Sequence, residues 1–68
     1  MTLITLIRNG ARIGNNTSVW GARFEGDPQI PDGEIIPTPF GPSVDAVEVA
    51  RRIRSCNPGA VVVAEIDD

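Results

Sequence analysis

The chain is 68 residues long, carries a net charge of −3 from nine acids against six bases, and is 41% hydrophobic. That length supports one domain, residues 1–68, which buries only about 60% of its unfolded surface and therefore depends on good packing or on a partner chain. One cysteine and no histidine exclude an intrachain disulfide and a histidine–thiolate metal site, and the acidic balance speaks against direct nucleic-acid binding.

The opening run MTLITLI has no basic start, no small-residue cleavage site, and far fewer than the ~20 apolar residues of a spanning helix. The expectation is a cytoplasmic protein without membrane contact. Thr2 to Arg8 is rich in leucine and β-branched residues and reads as a buried strand. Asn9-Gly10 is a strong hairpin signal, because both central residues of a type I′ turn need positive φ. On this reading Ala11 to Ile13 begins the return strand, and Gly14-Asn15-Asn16 interrupts it as a bulge or second turn. Ser18 to Glu25, SVWGARFE, alternates, with Trp20, Ala22 and Phe24 on the core side and Val19, Arg23 and Glu25 on the other. Asp32-Gly33 marks a turn, and Glu34 to Pro37 a short third strand, placed at an edge because proline cannot donate to a ladder.

Ile36 to Pro42, IPTPFGP, holds three prolines that lock φ and keep their predecessors extended. It reads as a stiff strap that loses little conformational entropy on folding. A helix follows from Val44 to about Cys56, with Ser43 as N-cap and Asp45 in the first turn. Ala46, Val49, Ala50 and Ile53 form its apolar face, flanked by Val47 and Cys56, and Glu48 stands four residues before Arg52, in the favourable order for an ion pair. Asn57-Pro58-Gly59 stops the helix. Ala60 to Ile66 is nearly all apolar and reads as a central strand. The elements run β-β-β-α-β. The expected fold is α+β, a single small domain with one helix packed on a mainly antiparallel sheet of about four strands.

Few residues here can carry chemistry. Cys56 lies at a helix C-terminus, where the dipole disfavours a thiolate, and reads as a small buried hydrophobe. The acids group as Glu25 with Asp27, Asp32 with Glu34, and Glu65 with Asp67 and Asp68. Paired carboxylates can do acid–base work only in a cleft, so these read as solvated turns, with no calcium-loop spacing. Pro28–Pro31 and Pro39–Pro42 match the minimal PxxP pattern but read as structural turns. Arg51, Arg52 and Arg54 are the one basic cluster. They either grip phosphate or an acidic partner, or complement the helix end and pair with Glu48. Trp20 and Phe40 are each open to a core role or an interface role.

No catalytic constellation emerges, and the expectation is a non-enzymatic module with no cofactor and no metal. SVDAVEVARRIRSCNPGAVVVAEI, with Val44, Asp45, Ala46 and Glu48 opening its helix, resembles the helix–strand half of small phage and mobile-element inhibitors of the anti-CRISPR type. In this sequence the next alanine of the pattern falls at Ala50, two places after Glu48. The resemblance implies a small acidic protein that occludes a functional surface of a host protein complex, in some cases one that handles nucleic acid. The residues singled out for partner binding are Glu25, Asp27, Asp32, Glu34, Phe40, Arg51 and Arg52. The alternative is a structural or assembly subunit that acts through self-association, as a homodimer.

Overall fold

The computed structural model describes residues 1–65; Ile66, Asp67 and Asp68, and with them the end of the predicted last strand, lie outside the described residues. Four strands and one helix follow in the order β1 (Leu3–Ile13), β2 (Thr17–Glu25), β3 (Ile35–Pro37), α1 (Ala46–Cys56) and β4 (Val61–Glu65). They form one mixed sheet of order β3-β2-β1-β4. β1 pairs antiparallel with β2 and parallel with β4, and β2 pairs antiparallel with β3. The α+β class and the element order are therefore as the sequence indicates.

The register sorts the residues onto two faces. Ile4 faces Phe24 and Leu6 faces Ala22, and on the parallel side Ile4 and Leu6 stand beside Val62 and Ala64. This face carries the core, where Ile4, Leu6, Trp20, Ala22 and Phe24 pack with Val49 and Ala50 of α1. A helix is ~10 Å wide, whereas four strands at ~4.8 Å spacing span more. α1 packs on β4 and β1. Outside the helix, Ile30, Phe40 and Val44, all half-buried against the core, complete the cover.

The strap explains its own prolines. Thr38 N donates to Trp20 O at 3.0 Å, and Trp20 N donates to Phe40 O at 2.9 Å, so the segment continues the ladder beside β2 after β3 ends. Antiparallel residues turn their groups toward and away from the neighbour in alternation. Thr38 and Phe40 turn inward, so Pro37 and Pro39 occupy the outward positions, where the missing N–H would otherwise face solvent.

Four expectations need correction. Asn9-Gly10 is not the hairpin turn: β1 runs through it to Ile13, and Arg8, Asn9 and Gly10 together stand opposite Trp20 as a bulge. The chain reverses at Gly14 to Asn16, where Gly14 (φ 61°) and Asn16 (φ 141°) supply positive φ and Gly10 does not. At the bulge Gly10 packs over Gly21: a Cβ on Gly21 would lie 2.9 Å from Gly10 C and 2.7 Å from Ile35 Cγ2. The helix N-cap is Asp45, not Ser43; its carboxylate accepts from Val47 N at 3.2 Å. Cys56 is exposed rather than buried: it is the last residue of α1, nearly a turn beyond the half-buried Ile53. Finally, β4 is an edge strand, not a central one.

Candidate functional site

The side of the sheet away from α1 is not covered by the helix, yet Thr5, Val19 and Gly21 on it are buried, Gly21 under Gly10 and Ile35. Leu3, Thr5 and Ile7 of β1, Val19, Gly21 and Arg23 of β2, Ile35 of β3, and Val61 and Val63 of β4 share its parity. Ile35 is 39% exposed, Val61 42% and Val63 45%. Ile13, also exposed, extends the same side beyond the bulge. Every exposed large hydrophobic found in a described strand thus points one way.

Arg23 lies in the middle of this surface, beside Thr5 on β1 and Ile35 on β3. Its Nε is buried and has no hydrogen-bond partner, alone among the side-chain nitrogens and oxygens of the described residues. Burying such a donor without a partner is costly.

Glu25 ends β2, Asp27 and Asp32 lie in the loop that follows, and Glu34 immediately precedes β3. Asp32 Oδ1 accepts from Gly26 N at 2.9 Å and Asp27 Oδ1 from Gln29 N at 2.8 Å, so two of these acids hold the loop's backbone. Glu25 and Glu34 are exposed at its ends. Phe40 sits against the core. Arg51 and Arg52 both bind Glu48, at 2.7 and 2.8 Å. Those bonds, to Arg51 first and then to Arg52, hold the Glu48 carboxyl below its ordinary pKa. Trp20 is buried, its indole Nε1 donating to Val44 O at 3.0 Å. The Arg8 guanidinium lies 4.6 Å over its ring and donates to Pro42 O.

No group of three or more Cys, Asp or Glu side chains among the described residues is placed to hold a metal ion. An open depression of about 280 Å³ is lined by Met1, Thr2, Asp27 and the Asn57–Ala60 turn, and Asp27 supplies its one charged side chain. No described helix is long and apolar enough to cross a membrane. Comparison with protein families, with curated proteins and with solved structures finds no match to this chain.

Of the residues on the outer face, sequence reasoning singled out only Glu25, which pairs with Leu3 at its end. The signal was present. β1 and β4 are apolar on both sides, TLITLI and AVVVA, which is the composition of strands covered on two faces. The helix covers one face here; on the other, Thr5 and Val19 are buried while Ile35, Val61 and Val63 stay exposed.

Proposed function

We propose that this chain is a non-enzymatic protein-binding module that docks through the outer face of its sheet. One observation carries this reading: the exposed apolar strand residues Ile13, Ile35, Val61 and Val63 all lie on the face that holds Arg23, whose buried Nε has no partner. Contiguous exposed apolar surface of this kind marks interaction sites in small soluble domains. The chemistry selects the occupant, a partner protein with aliphatic side chains opposite Ile35, Val61 and Val63 and a carboxylate that reaches Arg23. Occluding a functional surface of that partner, as the inhibitors this chain resembles do, is the narrower form of the proposal. The exposed Glu25 and Glu34 then lie at the rim, where charges govern encounter more than affinity.

The test compares capture of partners by the native chain, by Ile35→Asp and by Arg51→Glu, each checked for an unchanged fold by circular dichroism. A partner held by the native chain and by Arg51→Glu, but lost with Ile35→Asp, supports the face. Capture insensitive to Ile35→Asp, or no capture from any source, counts against it.

A further inference from the structure

The two edges of the sheet are built differently. On the β3 side the outward positions 37 and 39 are both proline, so that edge offers almost no donors. β4 has no proline, no charge before Glu65 and no bulge. Its run Val61-Val62-Val63-Ala64 has the composition of a central strand yet lies at the edge. Val61 N donates to Thr2 O at 2.9 Å, and Val61 and Val63 pair in register with Leu3 and Thr5. Alternation therefore turns the N–H and C=O groups of Val62 and Ala64 away from β1, along the free edge.

We infer that β4 pairs antiparallel with β4 of a second copy, joining the two sheets into one continuous sheet across a two-fold axis. The occupant follows from self-complementarity. With Val62 opposite Ala64 of the second copy, the reverse pair forms by symmetry, and all the outward N–H and C=O groups of both residues are bonded. Val63 then meets its own symmetry mate on the outer face, in a non-hydrogen-bonded pair whose Cα atoms are ~4.5 Å apart, and the two exposed valines cover each other. Because the β3 edge is closed by proline, pairing stops at a dimer instead of propagating into a fibre. The inference goes beyond partner docking: it involves the β4 edge and shares Val63 with the proposed docking face, whereas the docking test acts at Ile35, on the opposite edge strand.

The experiment is sedimentation equilibrium of the native chain over roughly a hundredfold range of concentration, around the micromolar Kd expected of a small interface. It is combined with cross-linking of a Cys56→Ser/Val63→Cys variant under mild oxidation. The expected result is a monomer–dimer equilibrium and rapid disulfide formation, since the pair geometry lies within the ~4.4–6.8 Å Cα range of a disulfide. Cys56→Ser/Val61→Cys should not cross-link, because the paired register puts the two residues 61 about 14 Å apart. Val62→Pro removes an outward N–H without touching the β1 ladder and should weaken dimerisation roughly tenfold or more. Should that variant fail to fold, Val63→Lys, which sets like charges across the axis, must show the same loss. A native chain that stays monomeric throughout overturns the inference. So does a dimer that survives the folded variant, or one whose residue 61 cysteines cross-link as fast as those at 63.

Discussion

Trp20 holds three parts of the molecule at once. Its backbone bonds the strap at Thr38 and Phe40, its indole bonds Val44 O, and its ring carries the Arg8 guanidinium. Trp20→Phe keeps most of the apolar volume but leaves the Val44 carbonyl without its donor, so a loss of about 1–3 kcal/mol is expected in a urea melt. Phe40 resolves toward the core, as the anchor of the strap, because its ring covers sheet that α1 does not reach. Phe40→Ala should lower stability by about 2–4 kcal/mol, somewhat less than a fully buried phenylalanine; an unchanged melt would return Phe40 to the exposed surface. At Gly21 the limit is space rather than φ, as a Cβ would strike the bulge backbone and Ile35. Gly21→Ala should therefore destabilise by roughly 1–3 kcal/mol, a cost visible as a lower urea midpoint.

The helix tests capping and charge together. Asp45 accepts the Val47 N–H, and Asp45→Ala should cost about 1 kcal/mol, whereas Ser43→Ala should leave the melt nearly unchanged. Equal effects at both positions would move the cap back to Ser43. Glu48, bonded by Arg51 and Arg52, has a folded-state pKa below its unfolded one. Its contribution is thus complete above the unfolded value, near 4.3, and is lost as pH falls through the lower folded value. Glu48→Gln should narrow the difference between melting temperatures measured near neutrality and at about pH 2. The effect is small, because the three side chains are solvated.

Across the whole molecule, β1 is the organising strand, paired on one side with β2 and on the other with β4. Ile4, fully buried at the start of both pairings, links them to the helix-side core. Ile4→Ala should cost about 2–5 kcal/mol, comparable with the entire stability of a small domain, and circular dichroism at room temperature should show a largely unfolded chain. A cooperative melt close to that of the native protein would mean that the core lies elsewhere.

Local patterns settled much of this protein before any packing was known. The alternation of Trp20, Ala22 and Phe24, the apolar arc from Ala46 to Ile53, the Glu48–Arg52 spacing and the prolines of the strap each follow from backbone geometry within a few residues, and each appears in the fold. What sequence could not decide was competition between similar signals and the order of strands. Asn9-Gly10 and Gly14-Asn15-Asn16 both suit a reversal; pairing of Arg12 with Ser18 and of Ile13 with Thr17 selects the second and makes the first a bulge. Ser43 and Asp45 both suit a cap, and only the Val44 carbonyl held by Trp20 fixes where the helix can begin. β4 is apolar on both sides whatever its neighbours are, so composition announced a covered strand. Tertiary pairing put it at an edge with a bare face, because one helix and one strap are too narrow to cover both sides of four strands. The exposed strand side chains and the open edge arise from that mismatch.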